Sequence, residues 1–334
     1  MSRTRIGIVG AGFMGTIHAA GWATCADAEL TAVLAGPASP PDTLARRYGM
    51  RACDTLAELL ELVDVVDVCA PTDLHLEITL AAAAAGRAVI CEKPLARTPD
   101  DGERMIAACR DAGVPLLVGH VVRFFPEYST LKEAVDRGDI GDPAVLRFTR
   151  ATFQPKRPAG NWFADERRSG GLALDLMIHD LDYARWVGGE VSTVYARSLR
   201  AARPDTAADH VLAILRHRSG AISHVEASWA FPPPVFRTRG EVAGTTGVLT
   251  FDSDRTAPVR PLLRTKPEAG DTPLAASPLA ETPYATELKH FLTVLRDGAK
   301  PIVTAEDGLA ALRIATAVVE SIGSGRAIDM EVAA

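Results

Sequence analysis

The sequence predicts two domains, an α/β domain with a parallel sheet followed by an α+β domain with a mostly antiparallel one. Short β-branched runs alternate with helical stretches of about ten residues through residue 120. From residue 144 onward, longer strand-like runs are separated by tight turns. At 334 residues the chain also exceeds the length at which a single hydrophobic core usually keeps growing.

The first strand, residues 5–10, enters the turn Gly10-Ala11-Gly12-Phe13-Met14-Gly15. In this G-x-G-x-x-G pattern Gly10 permits the tight strand-to-helix turn, Gly12 lets a pyrophosphate approach bare backbone, and Gly15 lets helix and strand pack closely. The amides that open the helix over 14–26 would face the phosphate charge. Gly10, Gly12, Phe13, Met14 and Gly15 are therefore candidate cofactor-binding residues of a Rossmann-type, dinucleotide-binding unit.

A second strand over 30–35 is followed by a proline-rich break, with Asp42 as a candidate N-cap for a helix over 42–48 that Gly49 ends. A helix over 56–60, a strand over 63–69 and a helix over 74–85 come next. A strand over 88–91, a helix over 99–111 and a strand over 115–119 complete the first domain, expected at 1–120. The second domain is expected at 121–334. It opens with a helix over 128–136, and strands follow over 144–152, 191–198, 207–216, 221–230, 236–240 and 247–252. Helices near 175–187 and 286–297 are expected on one face of that sheet, residues 254–283 read as a long surface excursion, and 305–321 reads as a long helix.

The net charge of −6, without a Lys/Arg stripe, argues against nucleic acid as partner. Five scattered cysteines, none in a C-x-x-C pair, read as reduced, mostly buried thiols and not as a disulfide framework or a zinc knuckle. No stretch approaches the ~18 apolar residues of a membrane span, and the chain runs directly into a strand, so no membrane and a cytoplasmic location are expected.

In doubly wound sheets ligands bind at the carboxyl ends of the strands. After the strand over 63–69, Pro71 and Thr72 lie where loop backbone meets a nicotinamide ribose; Thr72 equally suits an N-cap, and His75 reads as a surface or internally satisfied histidine. The strand over 88–91 delivers Glu92-Lys93-Pro94 to its tip. A lysine there can hold a substrate hydroxyl oxygen and stabilise negative charge as a proton leaves.

In the second domain Gly170-Gly171 leads into a helix on which Asp175 and His179, four apart, share a face. A histidine can take a hydroxyl proton while a carboxylate orients it. No G-x-S-x-G accompanies the pair, which disfavours acyl transfer, and no further clustered ligand joins Asp175, His179 and Asp182, so no metal is expected. A glycine turn, a strand-end lysine and an Asp/His pair together suit hydride transfer from an alcohol.

With these motifs, the Arg123-Phe124 segment and the closing stretch over 291–327, the whole chain resembles the Gfo/Idh/MocA oxidoreductase family. The resemblance implies an N-terminal Rossmann domain and a C-terminal α+β domain with an open, mostly antiparallel sheet whose face mediates homodimers or homotetramers. It implies Lys93 as the catalytic lysine of the E-K-P motif, His179 as acid/base and Asp175 as its assistant or a substrate contact. Glu92 joins the cofactor-binding set, and Arg123, Asn161, Trp162 and Tyr284 shape a site for a sugar or cyclitol. Members using NAD often end the second strand with an acidic residue; here Ala35-Gly36-Pro37 stands there, with Ser39 in reach of ribose or phosphate. NAD or NADP therefore both remain, with weight toward tolerance of NADP. Two alternatives share these motifs: a glycosidic lyase or hydrolase that uses the dinucleotide transiently, and a non-catalytic dinucleotide sensor.

Overall fold

The structure is a computed structural model that describes residues 2–36, 42–154, 162–199, 209–254, 259–263 and 281–330. Pro37, Ser39, Asn161 and most of the expected 254–283 excursion lie outside the described residues.

Six strands build the first sheet: β1 (Thr4–Val9), β2 (Ala28–Leu34), β3 (Arg51–Cys53), β4 (Val65–Val68), β5 (Ala88–Glu92) and β6 (Leu116–Gly119). Between them run α1 (Phe13–Trp22), α2 (Asp42–Tyr48), α3 (Leu56–Leu62), α4 (His75–Ala84) and α5 (Pro99–Asp111). All pairs are parallel, in the order β3-β2-β1-β4-β5-β6, so the strand order reverses direction beside β1. This is the doubly wound arrangement whose ligand crevice opens at the carboxyl ends of β1 and β4. β4 and β6 are buried along their whole length, as expected of strands covered on both faces. Thr55 and Thr98 cap α3 and α5, each accepting the backbone N–H three residues on.

The second sheet contains β7 (Pro143–Thr152), β8 (Val191–Leu199), β9 (His210–His217), β10 (Ile222–Ser228), β11 (Phe236–Gly244), β12 (Gly247–Asp252), β13 (Val259–Leu263) and β14 (Ile328–Asp329). Its order is β13-β12-β11-β7-β10-β9-β8-β14, antiparallel except between β7 and β10. Helices α6 (Pro126–Asp136), α7 (Glu166–Ser169) and α8 (Ile178–Gly188) accompany it, and later come α9 (Pro283–Asp297) and α10 (Ala305–Ser324). Inside the sheet Val211, Ala213 and Leu215 of β9 are buried, while Ile214 between them is exposed, the alternation of a sheet with one covered face.

Packing divides the chain into one unit of residues 1–124 with 281–309, and a second of 125–280 with 310–334. The expected boundary near 120 therefore falls at 124, and α9, expected on the second sheet, belongs to the first unit. The physical reason is the apolar face of α9. Leu288, Phe291 and Leu292 join Ile6, Ile8, Ala19 and Trp22 in one buried cluster. At Gly21 of α1 the absent side chain makes room, since a Cβ there would stand 2.8 Å from Leu288 Cδ1. The sequence pattern marks α9 as amphipathic but not which surface receives it. Within the described residues, no helix is long and apolar enough to cross a membrane.

Candidate functional site

The glycine turn closes tightly around backbone. Gly10 has φ of 108°, a left-handed conformation, and a Cβ on it would lie 2.4 Å from the Cys69 carbonyl oxygen. A Cβ on Gly15 would lie 1.9 Å from the Gly10 carbonyl oxygen, whereas a Cβ on Gly12 would meet nothing within 4 Å among the described residues. α1 begins with no side-chain cap bond and no acidic residue in its first turn. No N-cap side chain occupies its leading amides and its own first turn carries no carboxylate to repel an anion, the arrangement that receives a phosphate. Beside them Phe13 is 69% exposed, and Met14 is half-buried. Ala35 follows the end of β2, half-buried, with Gly36 exposed after it. The residues of this turn fit a dinucleotide: open backbone where a pyrophosphate would approach, and a closed contact where helix meets strand.

Two further strand ends flank it. After β4, Pro71 precedes a single 3₁₀ turn, Thr72–Leu74, so Leu74, not Thr72, stands before α4, and no side chain caps either element. Thr72 makes no capping bond and is buried instead. His75 is also buried, with Nδ1 3.0 Å from the Pro94 carbonyl oxygen and Nε2 3.0 Å from that of Ala70. Burial lowers its pKa although both carbonyls oppose that shift, and the ring lies between the loops after β4 and β5.

β5 ends in Glu92, whose Oε2 accepts the backbone N–H of Lys93 at 3.1 Å. Lys93 is half-buried, and the Lys93-Pro94 peptide is cis. Beneath this corner lies a cluster that the sequence did not reveal. His18 of α1 is fully buried, with Nδ1 3.0 Å from both carboxylate oxygens of Asp67 on β4 and Nε2 2.9 Å from Glu92 Oε1. Trp22 Nε1 donates to Asp67 Oδ2 at 2.7 Å, and the Cys69 thiol lies 3.6 Å from Asp67 Oδ1. Burial is the largest single influence and favours the neutral imidazole, but the charge and hydrogen bond of Asp67 together with Cys69 outweigh it and hold the His18 pKa well above the ordinary value. His18, Asp67 and Cys69 are also the one group among the described residues with metal-compatible spacing, yet their polar atoms already bond one another.

Arg123 is buried in the same unit, its Nη1 donating to the Ile302 carbonyl at 2.9 Å and to Asp307 Oδ2 at 3.1 Å. It thus ties residues 302–307 to the segment after β6. Tyr284 is the second residue of α9 and is half-buried. The five cysteines are free thiols, four of them buried, and burial raises the pKa of Cys109 to about 11 and that of Cys69 to about 12.

In the second unit Gly170 and Gly171 both take positive φ, Gly170 as the left-handed cap of α7. The next segment differs from the ordinary helix expected there. Residues Ala173–Met177 form a π-helical turn that continues into α8, so Asp175 stands in the π turn and His179 in the first turn of α8. A four-residue spacing puts two side chains on one face of an α-helix, whereas a turn bonded i to i+5 is wider. Asp175 and His179 are half-buried while Leu174, Ile178 and Leu181 are buried, so the polar pair and the apolar stripe separate. Next to His179, Asp180 takes a bidentate pair from Arg150 of β7, Nε to Oδ2 at 2.8 Å and Nη2 to Oδ1 at 3.0 Å, and Arg150 Nη2 also reaches Tyr128 Oη at 3.0 Å. Trp162 opens a 3₁₀ turn, half-buried, its ring 5.8 Å from that of Phe163.

Residues 4–120 match the family model described as oxidoreductase family, NAD-binding Rossmann fold, and residues 128–250 match the GFO/IDH/MocA C-terminal domain. Myo-inositol 2-dehydrogenase of Thermotoga maritima is 34% identical over 340 residues, covering 98% of each chain. Inositol 2-dehydrogenase of Rhizobium meliloti is 30% identical, covering 98% of this chain and 99% of the relative. Among solved structures, levoglucosan dehydrogenase in complex with NADH and levoglucosan aligns with a TM-score of 0.87 at 26% identity, over 98% of this chain and 99% of that one.

Proposed function

The chain belongs to the GFO/IDH/MocA family of oxidoreductases, and on that premise we propose that it is an NAD(P)-dependent dehydrogenase of a secondary hydroxyl on a sugar or cyclitol. The observation that carries the reading is the open backbone at Gly12 before an uncapped α1, which follows β1 of the sheet whose β5 ends in Glu92 with Lys93 next in the chain. When bound, the dinucleotide supplies a hydride acceptor for a carbinol carbon.

The chain's own residues supply binding and proton handling. Gly10, Gly12, Phe13, Met14 and Gly15 receive the pyrophosphate, Ala35 and Ser39 flank the adenosine ribose, and Pro71, Thr72 and Glu92 line the nicotinamide side. Lys93 holds the substrate hydroxyl oxygen, and its cation stabilises the negative charge that grows there as the proton leaves. His179 takes that proton as general base, with Asp175 orienting the ring. Asn161, Trp162 and Tyr284 contact the polyol. Arg123 contributes to substrate binding by fixing the segment 302–307, to which its guanidinium is already bonded.

No carboxylate stands at Ala35 or Gly36 to repel a 2′-phosphate, which supports acceptance of NADP as well as NAD. Exposed Ile214 and Ile222 on the uncovered sheet face support assembly into a homodimer or homotetramer through that face. The test is titration of the purified protein with both dinucleotides, followed by reduced-nicotinamide absorbance across inositols, aldoses and sugar acids. Reduction with one of them supports the dehydrogenase; product release without net reduction points to a glycosidic lyase or hydrolase, and binding without any reaction to a sensor.

A further inference from the structure

Lys93 carries its amine from a strand end, where a peptide is free to turn unless something holds it. The holding contact comes from the residue before it, because Glu92 Oε2 accepts the Lys93 N–H while Oε1 faces His18 Nε2 at 2.9 Å. The carboxylate is confined on its other side as well. A Cβ on Gly119 of β6 would lie 3.2 Å from Glu92 Oε1, so a side chain there would crowd that oxygen. His18 is in turn fixed by Asp67, which Trp22 holds from α1. Helix α1 and strands β4 and β5 are thereby joined by one imidazole with no solvent-exposed surface.

We propose that His18 is a positioning residue for Lys93, acting through the carboxylate of Glu92. Fully buried, His18 has no surface to offer substrate or cofactor, and its polar atoms are spent on two carboxylates. Their charge explains why an imidazole with a donor on each nitrogen suits the place: a ring that carried only one N–H would leave one carboxylate facing a lone pair. The connection also links the helix that opens at the glycine turn with the lysine at the end of β5, so the two halves of the cofactor side share one buried anchor. This inference rests on the role proposed for Lys93, but the tether itself is a separate statement about the Lys93 amide.

Two substitutions separate positioning from bulk stability. In His18→Gln the terminal amide can still donate toward Glu92, whereas in His18→Asn the shorter amide reaches only toward Asp67; both remove the cation. Amide hydrogen exchange of the peptide covering residues 91–95 reads the tether without any turnover, and kcat against KM for the dinucleotide reads its consequence. His18→Asn should speed exchange at the Lys93 amide by about tenfold and lower kcat by roughly 10–100-fold, the scale of a small misplacement of a catalytic group, with KM changed by less than about threefold. His18→Gln should recover most of both. Glu92→Gln, which loses an acceptor for the Lys93 amide while keeping His18, should speed Lys93 exchange as His18→Asn does and stands in for the exchange readout if that variant does not fold. Equal behaviour of the Gln and Asn variants in both readouts, or unchanged Lys93 exchange in His18→Asn and Glu92→Gln, overturns the proposal. Undiminished turnover in Lys93→Ala would instead overturn the functional reading and leave the exchange result standing.

Discussion

The carbonyl oxygen of Gly10 lies 1.9 Å from the point where a Cβ on Gly15 would stand, while Gly12 between them faces open space. The two positions therefore answer differently to the same substitution. Gly15→Ala must push backbone apart and should cost about 1–3 kcal/mol or prevent folding. Gly12→Ala, at an N-cap with φ of −80°, should cost about 1 kcal/mol or less of stability and weaken NADH binding by about tenfold or more. Thermal melts and fluorescence titration check both. Wild-type affinity in Gly12→Ala would remove the pyrophosphate from this turn.

Lys93 and His179 should fail in the chemical step. Lys93→Ala is expected to lower kcat by about 10²–10⁴-fold, and His179→Ala by a similar factor, with NADH affinity within about threefold of wild type. Pre-steady-state and steady-state kinetics with titrated cofactor check this. Parallel losses of cofactor affinity and kcat in His179→Ala would mark a structural histidine.

Glu287 of α9 sets a pH signature. Its carboxyl is fully buried with neither oxygen hydrogen-bonded, and burial, followed by the charge of Glu92, raises its pKa well above the ordinary 4.5. A raised folded-state pKa gives stability that is fully present below the unfolded value and is lost as pH rises through the folded one. Between those values the loss reaches about 1.4 kcal/mol per pH unit. Glu287→Gln removes that loss, so its melting temperature should equal that of wild type near pH 4 and exceed it increasingly as pH rises. A variant less stable at every pH would mean that the native carboxylate is ionised and held.

Arg150 and Asp180 anchor the helix that begins beside His179. Both are buried, and removing one partner takes the bidentate contact away from the other buried charge. Asp180→Ala should destabilise the protein by about 3–5 kcal/mol, while exchanging the pair for apolar residues of similar volume should cost far less. Chemical denaturation of the single and double variants measures the difference; additive losses would contradict the ion-pair account.

Much of this was legible along the chain because local rules decide it. The helix over residues 99–111 and the strand over 247–252 follow from a capped proline start and from alternation between turns, and both form with the expected bounds. β3 and β14 escaped because three and two residues are too few to show a period, and β13 because it lies in a stretch with little periodicity. α9 was visible as a helix but its partner was not, since burial against α1 depends on Gly21 and Leu288, far apart in sequence. At the site, Gly12 and Lys93 were marked by motif, whereas His18 reads as any helical histidine until β4 and β5 bring Asp67 and Glu92 to it. The π turn at Asp175 left no sequence signal, because an apolar stripe tolerates one wider turn.

The central claim is hydride transfer from a carbinol carbon. Its most direct test gives the wild-type protein NAD or NADP and polyols deuterated at that carbon, and examines the reduced nicotinamide by mass spectrometry. The account predicts that one polyol class yields reduced cofactor carrying the label. Reduced cofactor without label, or none formed across inositols, aldoses and sugar acids despite dinucleotide binding, would contradict it.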